Sequence, residues 1–375
     1  MFLAMDTQDK IELLSEASQY DLACACGTGG KDRRHRGVDG RWLYPVPVAR
    51  GGQGIMLKSL LGNECVNDCR YCPFRAGSDV RRVVIQPEEM AHAFMEYDRR
   101  EDLIGLFLSS GVMRDPDYTM ARLNETARIL RQRYRYRGYI HLKVIPGASD
   151  AAIEDALSLA SAVSVNIEVP GEAHCRRLST RKDYLNDIIR PMKLISRLTA
   201  RGAKYAGVCQ TTQFVVGAAS ETDAEIVRYT GGLYKRLGLD RAYFSAYQRG
   251  LGEAELASAN LPPGKDPLLR EHRLYQVDFL LRRYGFDDQE IPFEPDGSLA
   301  LDRDPKQAWA ERHPEFFPVR LSTAPREGLL RVPGLGPTSV TRILASRKEG
   351  RVRDLREVGV RGKRLLKASA YVAAE

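Results

Sequence analysis

The chain has 375 residues, of which 43% are hydrophobic and 28% charged, and its formal net charge is +8. This length exceeds the ~250–300 residues at which single hydrophobic cores stop growing, so we expect more than one domain. No segment approaches the ~18 consecutive apolar residues of a membrane span, and the first residues, MFLAMDTQDK, lack the pattern of a secretory signal. These features argue against an integral membrane protein and predict a cytoplasmic location.

Residues 1–50 are predicted to form an amino-terminal extension of helix and loop that contains Cys24 and Cys26. Seven cysteines in a chain expected to be cytoplasmic indicate metal or redox chemistry rather than a disulfide framework. For Cys24 and Cys26 the sequence leaves two interpretations open, a second metal or redox site and a structural turn.

Between residues 51 and 255, short apolar segments alternate with longer helical patterns, as is typical of parallel βαβ units. The third and fourth predicted strands place polar residues, among them His141 and Lys143, on one face and aliphatic residues on the other. A doubly wound sheet buries both faces under helices, whereas a barrel holds such groups around a cavity at its strand ends. The sequence therefore predicts an α/β fold, a partial (β/α)6 TIM-like barrel. The predicted strands are 55–62, 103–110, 138–146, 162–169, 205–217 and 241–248, and the predicted helices are 87–100, 116–136, 149–161, 182–202 and 222–237.

The first predicted strand is followed by NECVNDCRYCPFR, which places Cys65, Cys69 and Cys72 on one loop at the carboxyl end of a barrel strand. Three thiolates bound to a four-iron cluster leave one iron open to another molecule. The alternative is a tetrahedral zinc site whose fourth ligand is Cys24, Cys26, Cys175, Cys209 or a histidine. We expect Cys175 and Cys209 instead to pack as small buried side chains.

Residues 256–319 are predicted to be a linker with a covering helix at 267–284, and residues 320–375 to be a small all-α domain. The last segment contains 13 Lys and Arg against 5 Asp and Glu, so it carries the whole surplus of +8.

Within this segment, LLRVPGLGPTSVTRIL (329–344) predicts two helices joined by a tight glycine turn, and 354–372 predicts a degenerate second copy. The pattern resembles a helix-hairpin-helix, a DNA-binding motif in which glycines let backbone N–H groups approach a phosphate. An αα-hairpin that only packs on the barrel is the alternative. The candidate nucleic-acid contacts are Arg331, Gly334, Gly336, Thr338, Lys363 and Arg364.

The spacing C-x3-C-x-aromatic-C, with Tyr71 as the aromatic residue, resembles the cluster loop of the radical S-adenosylmethionine (SAM) superfamily. The resemblance implies a [4Fe–4S] cluster held by Cys65, Cys69 and Cys72, with SAM bound at the fourth iron. It further implies reductive cleavage of SAM to methionine and a 5′-deoxyadenosyl radical, which abstracts a hydrogen atom from the substrate.

The same resemblance implies a set of SAM contacts. Ser109, Ser110 and Gly111 stand where relatives hold the amino group of SAM, but this chain has no acid there, so hydroxyl and carbonyl groups would serve. Asn166 and Glu168 are implied for the ribose. The remaining candidates, for the SAM carboxylate, the adenine or the substrate, are Lys143, His141, Gln213, Gln210, Thr212, Tyr243 and Tyr247.

Together, the barrel and the basic tail resemble a subfamily of radical SAM proteins assigned to DNA modification or repair and associated with a uracil-DNA-glycosylase-like partner. The segments that carry this resemblance are GYIHLKVIPGAS, SVNIEVP, TTQFVVGA, LREHRLYQVDFLLRRYGF and LLRVPGLGP. It implies a radical enzyme that acts on DNA and takes its electron from a donor such as flavodoxin or ferredoxin. An RNA-modifying radical enzyme and a non-catalytic zinc protein that binds DNA remain as alternatives.

Overall fold

The computed structural model describes residues 5–18, 35–36, 42–47, 52–247, 250–253, 256, 266–350, 352 and 354–373. Cys24 and Cys26, for which the sequence left two interpretations open, lie outside these residues. The chain divides into two compact units. The first comprises residues 1–221 and 233–268, and the second comprises residues 222–232 and 269–375.

The first unit is built on a sheet whose strands follow one another in chain order. Two antiparallel strands, β1 (His35–Arg36) and β2 (Trp42–Pro47), come first. Six parallel strands follow, each paired with its neighbour in sequence, and each overlaps one of the six predicted strands. They are β3 (Gln53–Leu60), β4 (Gly105–Ser109), β5 (Tyr139–Lys143), β6 (Ala162–Ser164), β7 (Cys209–Val216) and β8 (Arg241–Ala246).

The six parallel strands form a curled half-barrel. Neighbouring strands lie about 4.8 Å apart, so the outer two of six strands in a flat sheet would be separated by about 24 Å. Here a single cavity is bordered by residues at or just beyond the carboxyl end of every one of them, from Leu60 of β3 to Ala246 of β8. The predicted partial α/β barrel is therefore confirmed.

Helices connect the strands close to the predicted positions. Asp115 and Ser149 cap two of them by accepting hydrogen bonds from the backbone N–H groups of Tyr118 (2.7 Å) and Ala152 (3.3 Å). The predicted helix 182–202 begins as a π-helix, Tyr184–Ile189, and the helix that starts at residue 116 ends as another, Ile129–Arg133. The α-helices are α1 (Thr7–Ala17), α2 (Pro87–Glu101), α3 (Pro116–Arg128), α4 (Asp150–Leu159), α5 (Glu172–Leu178), α6 (Arg190–Thr199) and α7 (Asp223–Leu237).

The predicted strand 162–169 is wrong beyond Ser164, because a side chain takes over the backbone hydrogen bonds there. The Thr212 hydroxyl donates to the carbonyl of Val165 (2.7 Å) and accepts from the N–H of Ile167 (2.9 Å). Pairing with β7 resumes at an isolated bridge between Glu168 and Phe214. Glu168 itself has φ +64°, a left-handed conformation that is uncommon for a residue other than glycine.

The second unit is helical in its described residues. Its core collects apolar side chains from the basic tail, including Leu329, Val340 and Ile343, each fully buried. In the second predicted hairpin, turns at 355–359 replace the first helix. The regular elements are residues 223–232 of α7, α8 (Pro267–Arg283, whose first two residues belong to the first unit), the 3₁₀ helices Asp288–Glu290 and Pro314–Phe316, α9 (Pro305–Arg312), α10 (Arg326–Arg331), α11 (Pro337–Glu349) and α12 (Gly362–Ser369).

In the part of the chain that the structure describes, no helix is both long and apolar enough to span a lipid bilayer.

Candidate active site

A cavity at the carboxyl ends of the parallel strands collects the candidate cluster and cofactor residues. Each strand of a curled parallel sheet directs its last side chains toward the same opening, which is why residues far apart in sequence meet there. Asn67, Lys182 and Leu251 also line the cavity. The predicted residues that line it are Cys65, Cys69, Tyr71, Cys72, Ser109, Ser110, Gly111, Lys143, Asn166, Glu168, Gln213 and Tyr247.

Each of the three loop cysteines has a hydrogen-bond donor directed at its sulfur. Such donors stabilise negative charge on sulfur and are among the features that set the reduction potential of an iron–sulfur centre. The donor–acceptor pairs are Val112 N to Cys65 Sγ (3.4 Å), Phe74 N to Cys72 Sγ (3.4 Å) and the Lys182 ammonium to Cys69 Sγ.

Without metal, Cys69 and Cys72 hold their protons. Burial raises the pKa of Cys69, and burial together with the neighbouring Cys69 raises the pKa of Cys72 to about 12. A bound metal displaces these protons, because the thiolate and not the thiol is the ligand.

The arrangement suits a cluster better than a single ion. One tetrahedral zinc ion needs its ligand atoms at ~2.3 Å for sulfur, all around one point. Within the described ranges, no three His, Cys, Asp or Glu side chains converge in that way. A four-iron cluster instead accepts each thiolate on a different iron, so its three ligands need not converge on one point.

Glu168 offers an unsatisfied acceptor inside the cavity. Its Oε1 lies 3.5 Å from the Lys182 ammonium, while its buried Oε2 has no hydrogen-bond partner among the described residues. A buried carboxylate oxygen without a donor is costly, so the site is suited to a ligand that brings hydroxyl or N–H groups. Burial and the Glu168 carboxylate both raise the pKa of Tyr71, which keeps that phenol protonated as a donor.

Lys182 is the functional candidate that sequence reasoning missed. Its side chain is 9% exposed and lies beside Glu168, which is 8% exposed. Burial alone would lower the pKa of Lys182, but negative charge on Cys69, when it is a thiolate, and on Glu168 raises it, so the ammonium stays charged. No periodic pattern marks this position, since Lys182 lies in an irregular segment between α5 and the π-helix Tyr184–Ile189.

The residues predicted to hold the amino group of SAM also bind the cysteine loop. The N–H of Gly111 and the hydroxyl of Ser110 both donate to the carbonyl of Gly62, at 2.7 and 3.2 Å. A Cβ at position 111 would lie 2.2 Å from the carbonyl oxygen of Glu64. Glycine is therefore required here by close backbone contact.

Asp68 anchors the cysteine loop to the segment after α5. Its carboxylate accepts hydrogen bonds from the hydroxyl of Ser179, the N–H of Thr180 (3.0 Å) and the hydroxyl of Thr180 (2.5 Å). Burial opposes ionisation, but these hydrogen bonds outweigh it and lower the pKa of Asp68 to about 2. The loop is thus tied down at the residue that precedes Cys69.

Several weaker candidates lie elsewhere. Gln210 and Thr212 point to the opposite face of β7, where the Gln210 amide donates to the carbonyl of Met192 (3.0 Å). His141 is buried on β5 and shares a hydrogen bond of 2.9 Å with Ser164. Burial, Lys58 and Lys143 lower the pKa of His141 to about 3, so its imidazole is neutral.

The expectation that Cys175 and Cys209 are both buried is half correct. Cys175 is 3% exposed on α5. Cys209 is exposed, because it begins β7 at the end of the sheet away from the cavity.

The tail candidates divide into exposed and structural residues. Thr338, Lys363 and Arg364 are exposed at or near the amino-terminal ends of α11 and α12. Gly334 has φ +87°, and a Cβ there would lie 2.5 Å from the carbonyl oxygen of Arg364, so this glycine lets the turn approach α12. Gly336 caps α11 with ordinary backbone angles.

Arg331 is not placed to reach a phosphate. Its guanidinium lies 3.7 Å from the ring centre of Phe286 and 4.9 Å from that of Trp309, and it forms a salt bridge of 3.0 Å with Glu290. Only 13% of the side chain is exposed. The prediction of a nucleic-acid contact failed here because the aromatic partners come from segments 22 to 45 residues earlier in the chain.

Residues 59–230 match the family model of the Radical SAM superfamily. This part of the chain is thus similar to radical SAM domains. Domains of this superfamily are enzymatic and use a [4Fe–4S] cluster and SAM as cofactors. No curated protein matches the chain.

Solved structures with a similar backbone fold include two of HydG, described as a maturase of the [FeFe]-hydrogenase. One is 11% identical with a TM-score of 0.46, covering 60% of this chain and 49% of that one. The other, from Carboxydothermus hydrogenoformans, is 18% identical with a TM-score of 0.46, covering 60% and 51%. Methylornithine synthase (PylB) is 14% identical with a TM-score of 0.47, covering 60% and 62%. The chain thus spans less than two thirds of each of these proteins.

Proposed function

We propose that this protein is a radical SAM enzyme that acts on DNA. The observation that carries the first half is the cavity itself, whose lining includes three sulfurs with N–H donors and an unpaired buried carboxylate oxygen. Cys65, Cys69 and Cys72 would hold the cluster, and Glu168 and Asn166 would bind the hydroxyl groups of SAM. When bound, the two cofactors supply reductive cleavage of SAM to methionine and a 5′-deoxyadenosyl radical.

The chain contributes position and exclusion of water. Gly62, Gly111 and Asp68 fix the cysteine loop, and the buried Lys182 ammonium offsets the negative charge of the ligands around it. Aliphatic side chains such as Val144 and Val215 line the same cavity and help to exclude water from it.

The tail supports the second half of the proposal. Its surplus of +8 is confined to 56 residues, and Lys363 and Arg364 are exposed at the start of α12. Backbone N–H groups at a helix start together with adjacent cations attract phosphate without reading sequence. We therefore propose a helix-hairpin-helix role for the tail, with a flipped or damaged nucleotide as the substrate, since a stacked base is not accessible to a radical in a cavity.

The experiment for the radical chemistry is anaerobic reconstitution with iron and sulfide, followed by a deoxyadenosine assay with dithionite and SAM, with and without duplex DNA. We expect about four irons per chain, a brown protein and deoxyadenosine formation that DNA stimulates. Cys69→Ala should abolish the cluster and the product, whereas Cys209→Ala, at the other end of β7, should retain both. A colourless protein that holds zinc and leaves SAM intact would contradict the proposal.

The DNA half is tested by binding at several salt concentrations. For two to four neutralised phosphates, the logarithm of affinity falls against the logarithm of salt with a slope of about −2 to −4. Lys363→Glu combined with Arg364→Glu should weaken binding and make the slope shallower by about 2. Lys348→Glu, which changes an exposed charge at the far end of α11, is the control. Tighter binding to RNA than to DNA at equal salt would favour the RNA-modifying alternative.

A further inference from the structure

A second depression in the first unit shares a wall with the cavity. Cys65 and Val112 line both, so the candidate cluster ligand Cys65 separates the cavity from an outer groove. The groove is lined by Glu64, Cys65, Val66, Ala76, Gly77, Ser78, Arg82, Val112, Met113, Arg114 and Arg181. It therefore lies directly outside the place where the first thiolate would hold iron.

The groove carries uncompensated positive charge. Its lining includes three arginines, Arg82, Arg114 and Arg181, against one carboxylate, Glu64. In the part of the chain that the structure describes, none of the three arginines forms a salt bridge. Arg82 donates to four backbone carbonyl groups, at 2.6 to 3.1 Å, and Arg181 donates to the carbonyl of Val66. These carbonyl partners orient the guanidinium groups but carry no net charge, so they do not neutralise the positive charge of the groove.

Two further features are typical of a recognition surface. Val66, which is 36% exposed, lines the groove together with the arginines, so the groove offers an apolar contact as well as positive charge. Arg114 is exposed and has φ +56°, a left-handed conformation in which glycine would be less strained. Its guanidinium lies 4.8 Å from the ring centre of Tyr118, a contact that orients it at the rim.

We propose that this groove is the docking surface for an acidic one-electron carrier protein, which delivers its electron through Cys65. The proposal rests on the proposed function, because it presupposes the cluster. In this step the reduced carrier loses one electron and is oxidised, and the cluster gains that electron and is reduced. An electron donor must approach the cluster closely without occupying the SAM cavity, and the groove meets both conditions. Nucleic acid would also suit the positive charge of the groove. However, phosphate binding does not require a cluster ligand in the wall of the groove, whereas electron transfer to the cluster does.

The experiment compares two reductants of the reconstituted full chain by stopped-flow absorbance of the cluster. The probes are a reduced plant-type [2Fe–2S] ferredoxin of net negative charge and dithionite, a small molecule that needs no docking surface. Arg114→Glu should slow reduction by the ferredoxin about tenfold or more at low salt, and the difference should shrink as salt screens the charges. Reduction by dithionite should be unchanged. Arg201→Glu, the same charge change at an exposed turn on the amino-terminal side of β7, is the matched control.

The outcomes separate the two proposals. Equal ferredoxin rates for the wild type, Arg114→Glu and Arg201→Glu, with normal reduction by dithionite, would overturn the docking surface and leave the radical enzyme intact. Loss of DNA affinity in Arg114→Glu with an unchanged ferredoxin rate would also overturn it and assign the groove to nucleic acid. A wild-type chain that binds no iron would refute both proposals. Binding of the oxidised ferredoxin to each variant, measured by calorimetry, provides a readout independent of electron transfer.

Discussion

The hydrogen bonds of Asp68 lead to a quantitative prediction about retention of the cluster. Asp68→Ala removes three hydrogen bonds to Ser179 and Thr180 and leaves both hydroxyl groups without that acceptor. A hydrogen bond to a charged group contributes about 1.5–3 kcal/mol, but these three share one partly exposed carboxylate and are not additive, so we estimate about 2 kcal/mol in total.

This energy acts on the cysteine loop, because the anchor immediately precedes Cys69. We take the anchored loop to be the form that binds the cluster. Removing about 2 kcal/mol of anchoring energy then lowers the population ratio of anchored to released loop about 30-fold. Other contacts restrain the loop, among them the 2.8 Å hydrogen bond from Arg70 N to the carbonyl of Leu178 and the 2.6 Å salt bridge of Arg70 with Glu253. We therefore expect the substitution to speed iron release by about one order of magnitude, between about tenfold and 30-fold.

The assay is the anaerobic rate of iron release to a chelator from the reconstituted protein. Asp68→Ala should lose iron about tenfold faster than the wild type, and Asp68→Asn should lie between them because one amide oxygen still accepts. Asp79→Ala removes an exposed carboxylate later in the same loop and serves as the control. If Asp68→Ala releases iron at the wild-type rate while its circular dichroism is unchanged, the anchor has no part in holding the ligands.

Three further predictions concern single side chains. Gly111→Ala places a Cβ 2.2 Å from the carbonyl of Glu64, so the cysteine loop must shift, and iron content after reconstitution should fall well below the wild-type value. Lys182→Met removes the cation beside Cys69, so the midpoint potential followed by electron paramagnetic resonance should become more negative; an unchanged potential would show that the ammonium does not act on the cluster. Burial lowers the pKa of Lys306 from 10.5 to about 7, so between these values the unfolded chain binds one proton more and the free energy of unfolding should rise with pH by at most about 1.4 kcal/mol per pH unit. Lys306→Met should lose that slope in denaturant titrations at pH 7 to 10, and an identical slope in both proteins would contradict the burial of a neutral amine.

The sequence predicted the half-barrel and the cavity because both depend on short-range regularities. Alternation of apolar and polar residues placed Lys143 on the polar face of β5, and the loop spacing placed three thiols at a strand end. Because all parallel strands of a curled sheet end at the same opening, these residues come together there. Such features need no knowledge of side-chain contacts across the fold.

The failures have a different physical origin. The strand after Ser164 ends early because a hydroxyl from Thr212, 48 residues later, competes for its backbone hydrogen bonds. Lys182 reaches Cys69 from an irregular segment, and Arg331 is held by aromatic rings from distant segments. In each case a long-range contact decides the role of the residue, and no local pattern records it.

Charge balance inside the cavity links these residues to the proposed chemistry. Lys182 is almost fully buried, yet its nearest carboxylate oxygen is 3.5 Å away, a loose pairing for an ammonium that has given up its hydration. In the metal-free protein burial also keeps Cys69 and Cys72 protonated, so the sulfurs offer little negative charge. A bound cluster would hold Cys65, Cys69 and Cys72 as thiolates, and their negative charge would offset the desolvation of the ammonium beside Cys69. The buried Lys182 ammonium is therefore placed to stabilise an anionic centre in this cavity.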